Sequence, residues 1–227
     1  MALVPMSFPG IWAEYEKKKA AKNEGSLDAD CAPQLKASVR RLTIMSQRLQ
    51  IIPYDPSWVL EFETERDRIS RALGQQARRI DHNGSTAVPG LEAKPIIDIQ
   101  VSVEQLNPIR AYAEPLAGLG YRHAPHSDDA VCPFFHRPGE WPHSHHVHVV
   151  ESGGVEERRT LAFRDYLRGH SNVAQEYSIL KRQLAALYDA GKPAEREAYA
   201  IAKAEFIDQV VQIALAQGYP RELRNAV

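Results

Sequence analysis

Apolar residues recur at helical spacing after Tyr54-Asp55-Pro56-Ser57-Trp58: Trp58, Phe62, Ile69 and Leu73 share one face, and Gly74 closes the run. Asp55 is placed to cap this segment and Pro56 to open its first turn, which predicts a helix from Pro56 to Leu73. A short apolar segment, Leu49 to Ile52, precedes it. A strand near Ala77 to Ile80, a Gly-Ser turn and a strand from Ile96 to Val101 follow. The pattern then predicts a helix over Pro108 to Leu119 and sheet-like stretches at Tyr121, Val131 to His136 and His145 to Val150, broken by Pro and Gly turns. The last third reads as helical. Leu161, Tyr166 and Leu167 mark one helix, Val173, Tyr177, Leu180, Leu184 and Leu187 a second, and Tyr199, Ala202, Phe206, Val210 and Ile213 a third closed by Gly218. This order describes an α/β (α+β) fold, with a mixed sheet of about four or five strands flanked by helices.

The first 48 residues follow a different pattern. A polar helix around Ala13 to Asn23, a Gly25-Ser26 break and the basic pair Arg40-Arg41 read as a partly helical N-terminal extension, ahead of one domain over residues 49–220. The whole chain has 227 residues, 44% hydrophobic and 25% charged, with a formal net charge of -1. That balance gives no general attraction to nucleic acid or an anionic membrane, so a polyanion site has to be a local patch and the expected ligand is small. Cys31 and Cys132 form no Cys-x-x-Cys pair, which excludes a zinc ribbon and fits a reducing compartment. The opening residues lack a positive leader region and no apolar run approaches the roughly 18 residues of a membrane span. The expectation is a cytoplasmic protein without a membrane partner. The sequence sets no oligomeric state.

Chemistry concentrates between His82 and Val101. Gly84 lacks a Cβ and allows close backbone approach to a ligand, while the hydroxyls of Ser85 and Thr86 and the turn amides suit phosphate oxygens. Asp98 is the one ionisable group in Ile96-Ile97-Asp98-Ile99-Gln100-Val101. A carboxylate there needs a partner, a hydrogen bond or a metal, or else it caps the Gly-Ser turn structurally.

These residues, with four further blocks, carry a family resemblance. The blocks are Pro53-Tyr54-Asp55-Pro56-Ser57-Trp58; Gly84-Ser85-Thr86-Ala87-Val88-Pro89-Gly90-Leu91 with Lys94-Pro95-Ile96-Ile97-Asp98; His146-Val147-His148-Val149; Phe163-Arg164-Asp165-Tyr166-Leu167-Arg168; and Tyr177 with Lys181. Over roughly residues 49 to 217 the chain resembles the GrpB (UPF0157-like) family, whose members look like the nucleotidyltransferase fold of the polymerase-β superfamily. The resemblance implies a Gly-Ser pair that binds nucleotide phosphates and two carboxylates, one residue apart on the next strand, that hold divalent metal on one strand face. Gly84, Ser85 and Asp98 match; Gln100 stands where the second carboxylate is expected. An amide oxygen coordinates a hard cation but brings no charge, which weakens the usual two-metal arrangement.

His146 and His148 alternate on one strand face and are placed to compensate. With Asp98 and Gln100 they are the candidate metal ligands, for Mg²⁺, Mn²⁺ or Zn²⁺, a carboxylate with two imidazoles favouring the softer ions. Asp98 and His148 are the candidate catalytic residues. The candidate substrate-binding residues are Gly84, Ser85, Thr86, Lys94, Arg164, Arg168, Tyr177 and Lys181. Arg164 and Arg168 lie one turn apart and either clamp an anion or pair with Asp165; Tyr177 and Lys181 are either ligand-facing or a surface stripe. The expected function is a nucleotidyltransferase-like protein that binds a nucleotide or related phosphorylated ligand, with metal-dependent transfer to an acceptor the sequence does not identify. Two alternatives stay open: a nucleotide- or coenzyme A-related binding module that has lost transfer chemistry, and a metal-dependent enzyme built on the His146 and His148 strand.

Overall fold

The computed structural model describes residues 49–221; the readings of the N-terminal extension and Cys31 lie outside the described residues. Helix α1, Ser57–Leu73, leads into strand β1, Ala77–Asn83; the Gly-Ser turn and strand β2, Ile97–Val103, come next. Helix α2, Arg110–Gly118, precedes β3, Arg122–His123, β4, Phe134–Arg137, and β5, His145–Glu151. Four helices finish the chain: α3, Val155–Gly169, α4, Ser171–Ala185, α5, Pro193–Ile201, and α6, Ala204–Ala216. The strands form one mixed sheet in the order β1-β2-β5-β4-β3, in which β2 and β5 run parallel and the other pairs antiparallel. The α/β class expected from the pattern is the one observed.

The predicted α1 is present with its start moved by one residue. Asp55 accepts the Ser57 amide through its carboxylate at 2.9 Å, and Gly74, at φ 54°, ends the helix as read. Most other boundaries shift by one or two residues, as in β2 and α2, and three differences have a structural cause. β1 runs three residues past Ile80, because Asp81, His82 and Asn83 keep pairing with β2 although their polar side chains break the apolar pattern. The sheet-like segment read from Val131 begins only at Phe134; a 3-10 turn covers Ser127–Ala130 and Val131 is exposed. The third C-terminal helix is two helices, broken at Ala202 and Lys203. Tyr199 and Phe206 are seven residues apart, two helical turns, so the periodicity passes over the break unmarked.

Strand β2 is two-faced. Ile97, Ile99, Val101 and Val103 join Val147 and Val149 of β5 and pack on Trp58, Phe62, Ile69 and Leu73 of α1 and on Tyr112 and Leu116 of α2. A second apolar core lies among α3 to α6, with Val88 and Leu91 of the loop after β1 packed into it. The alternate residues of β2, Asp98, Gln100 and Ser102, lie on the opposite side of the pleat.

That polar side is held by buried charge pairs and hydrogen bonds. Arg164 of α3, 3% exposed, donates from Nε to Asp165 Oδ1 at 2.7 Å, and from Nη1 to Asp81 Oδ1 at 3.3 Å and to the His82 carbonyl at 3.1 Å. Arg79 also donates to both Asp81 carboxylate oxygens. Arg164 therefore ties α3 to β1 and faces Asp81 and Asp165 within the fold. Removing one member of a buried, hydrogen-bonded pair leaves the others uncompensated. Arg164→Ala is expected to cost about 3–5 kcal/mol in urea denaturation; a loss below about 1 kcal/mol, in the range of an exposed pair, contradicts this account.

Candidate functional site

Gly84 marks where β1 turns away from β2. Its φ of 65° and ψ of -167° lie in a region open essentially to glycine alone, and a Cβ there would overlap the Asp98 carboxylate and come within 2.8 Å of Asp98 Cβ and Cγ. The Gly-Ser loop thus rests directly on the carboxylate, as closely as the sequence allows. Thr86 is buried, accepts from His82 Nε2 at 3.0 Å and donates to the Ile96 carbonyl at 3.3 Å. Its hydroxyl pins the loop to the strand and is not presented to a ligand.

Parallel pairing sets Asp98 opposite His146 and Gln100 opposite His148. Because residues two apart on a strand point the same way, the two histidines come to the Asp98 side of the sheet. His146 Nδ1 lies 3.2 Å from Asp98 Oδ1, and ligand atoms of Asp98, His146 and His148 all fall within 4.8 Å of one another. His146 also meets His143, Nε2 to Nδ1, at 3.1 Å, and His143 stacks on His136 at 4.0 Å between centroids. Burial alone would raise the Asp98 carboxyl, but the hydrogen bond and charge of His146, with the charges of His148 and Lys94, hold it down at about 2. Burial lowers His148 to about 4 against the pull of Asp98, and lowers His143 to about 3 with the help of neighbouring positive charge. Near neutral pH the site therefore presents one carboxylate with His148 and His143 as neutral imidazoles, the protonation states a cation requires.

Gln100 is fully buried. Its Oε1 accepts from Asn83 Nδ2 at 3.3 Å and from the Thr160 hydroxyl of α3, so the oxygen expected at a metal is engaged inside the fold. Beside the carboxylate cluster, the Ser85 hydroxyl accepts from Lys181 Nζ at 3.1 Å and is hydrogen-bonded to Tyr177. Lys181, 2% exposed, also donates to the Glu92 carbonyl and lies 4.8 Å from the Tyr177 ring centre. Burial, with the charge of Lys203, lowers its ammonium to about 7. Lys94 is half-buried, and burial holds its ammonium below the usual lysine range.

Of the residues read from sequence, the structure gathers Gly84, Ser85, Lys94, Asp98, His146, His148, Tyr177 and Lys181 on one side of the sheet around Asp98. It does not bring Arg164 there, since that guanidinium is used in the core. Arg168 donates from Nε to the Ala87 carbonyl at 2.9 Å and lines a different cleft of about 360 Å³ with Tyr54, Phe62 and His82. Sequence reasoning missed Tyr199 and Lys203: Lys203 Nζ and Lys94 Nζ lie 4.3 and 5.4 Å from the Tyr199 ring centre. Tyr199-x-x-x-Lys203 repeats the Tyr177-x-x-x-Lys181 spacing, a signal hidden by reading Tyr199 only as a core position.

Gly84→Ala is expected to cost at least about 2 kcal/mol, from a glycine-only conformation and the overlap with Asp98. It should also shift the His146 ring resonances in NMR, as Asp98 is displaced. An alanine variant with unchanged stability and unchanged His146 signals would contradict the direct seating of the loop on the carboxylate.

Comparison with known proteins places the chain in a family. The family described as GrpB protein matches residues 48–212. The UPF0157 protein YqkA of Bacillus subtilis is 37% identical over 140 residues, 62% of this chain but only 40% of the relative's own length. A UPF0157 protein of Pseudomonas aeruginosa is 38% identical over 172 residues, 74% of this chain and 69% of the relative. The crystal structure of the conserved protein GrpB from Enterococcus faecalis superposes with a TM-score of 0.65 at 32% identity, covering 74% of this chain and 98% of that one. Among the described residues, no helix is long and apolar enough to cross a membrane. With a family match over most of its length, and a relative above 30% identity of which it covers more than two thirds, the chain belongs to the GrpB family.

Proposed function

We propose that this protein binds a nucleotide or related phosphorylated small ligand, together with one divalent cation, in the cleft between the Gly84-Ser85 loop and helices α4 and α5. One observation carries the reading: Asp98, His146 and His148 converge within 4.8 Å on the strand pair that the phosphate-type loop rests against. One carboxylate and two imidazoles suit Zn²⁺, Mn²⁺ or Fe²⁺ better than Mg²⁺, which prefers an all-oxygen octahedron. A cation held there would neutralise phosphate charge.

The chain's own groups supply the rest. The Ser85 hydroxyl would meet a phosphate oxygen, and Lys181, fixed on Ser85 and on the Glu92 carbonyl, offers a positive charge whose position is set before the ligand arrives. The reaction class this supports is nucleotidyl transfer, in which an acceptor oxygen or nitrogen attacks the α-phosphorus and pyrophosphate leaves. A second reading, binding without transfer, is favoured by Gln100, whose only oxygen is spent on Asn83 and Thr160, so that β2 provides one metal-facing carboxylate and not two.

Thermal unfolding with nucleoside triphosphates and Mn²⁺ or Zn²⁺ tests the shared part of both readings. A ligand at a hundred times its dissociation constant adds about 2.7 kcal/mol to stability, and Asp98→Asn should lose the metal-dependent share. No shift with any nucleotide and metal, or an equal shift in Asp98→Asn, contradicts the proposal. Pyrophosphate release with the stabilising nucleotide decides between transfer and binding alone.

A further inference from the structure

Three lysines, Lys94, Lys181 and Lys203, gather beside Asp98. Lys203 Nζ and Lys94 Nζ share the Tyr199 ring, at 4.3 and 5.4 Å from its centre, and Lys181 lies on the parallel Tyr177-Ser85 arrangement. All three interact electrostatically with Asp98 and with one another. Of the other charged groups, Glu92 offsets Lys181 in part. Arg196, over the Trp141 ring at 4.6 Å, adds positive charge felt at Lys94, and the Glu92 carboxylate is paired with Arg182 at 2.5 Å. Three amines thus face Asp98, which a cation would also claim, and the Glu92 carboxylate already paired with Arg182.

We propose that Lys94, Lys181 and Lys203 form an anion cradle for a ligand of at least two negative charges, such as a phosphate group, and that filling it conditions cation binding at Asp98, His146 and His148. The inference rests on the proposed cation site and adds the order of loading. A lone divalent cation is repelled by the ammonium groups, whereas a doubly charged anion between them removes that repulsion and attracts the metal. By thermodynamic reciprocity the metal then strengthens the anion equally. Burial first, and then neighbouring ammonium charge, lowers Lys181 and Lys203 to about 7 against the pull of Asp98 and, at Lys181, of Glu92. The tyrosine rings fix the amines over their π faces and keep them near the cleft in place of an acidic partner.

Manganese binding to the full chain, counted from the EPR signal of free Mn²⁺, tests this with sulfate as the dianion, because sulfate complexes manganese only weakly in water. Chloride at matched ionic strength is the control. Sulfate is expected to tighten manganese binding by ~10-fold, within the usual range for coupled sites. Lys203→Met and, separately, Lys94→Met should tighten manganese binding without sulfate several-fold and abolish most of the sulfate effect. Two different methionine variants protect against one that fails to fold, and a merely structural lysine would not strengthen metal binding on removal. Manganese that binds equally in sulfate and chloride, with both variants like wild type, overturns the cradle while leaving the cation site standing. No manganese binding in any buffer or variant overturns the cradle and the cation site together.

Discussion

The parallel pairing of β2 with β5 is the constraint on which the rest of this structure depends. It joins β2, buried at every residue but Asp98, to β5 at the centre of the sheet, and its register decides two things at once. Ile97, Ile99 and Val101 meet Val147 and Val149 on one face and close the core against α1 and α2. Asp98 and Gln100 meet His146 and His148 on the other. A slip of one residue would exchange the faces, placing a carboxylate and imidazoles in the apolar core, so hydrophobic burial itself enforces the register that assembles the polar cluster. Core packing and site geometry are here a single specification.

The polar face then has to be satisfied, and the C-terminal helices do this unevenly. On the β1 side Arg164 and Thr160 of α3 bond to Asp81 and Gln100 and tie the helix to the sheet. Nearer the Gly-Ser loop, Tyr177 and Ser85 meet Lys181, and Tyr199 meets Lys94 and Lys203. An ionic network thus lies beside an amine-rich cluster on the same sheet face, the first holding α3 to β1 and the second gathered near Asp98.

Much of this was legible in the sequence, and the residues show why. Trp58, Phe62, Ile69 and Leu73 followed the helical period because one face meets a core, and Gly84-Ser85 with Asp98 stood out because a turn glycine and a lone carboxylate in an apolar strand each need a reason. The alternation of His146 and His148 was visible, and so was their likeness to a ligand strand. What failed was anything that depends on a distant partner. Arg164 and Arg168 are one turn apart on α3, yet one is buried on Asp81 and the other lines the cleft by α1, a difference set by β1 and invisible in their spacing. β1 looked three residues too short because its polar end is stabilised by cross-strand pairing. Lys203 was overlooked because a break without glycine or proline turned its amine onto Tyr199.

The central claim is that the β2–β5 pair builds a cation site from Asp98, His146 and His148. An anomalous difference map from crystals grown with Mn²⁺ and sulfate tests it most directly. The account predicts one dominant peak bonded, at roughly 2.0–2.3 Å, to a carboxylate oxygen of Asp98 and to a ring nitrogen of each histidine, by analogy with ordinary protein metal–ligand distances. A dominant peak on other residues, or one held by Asp98 without the two histidines, would contradict it.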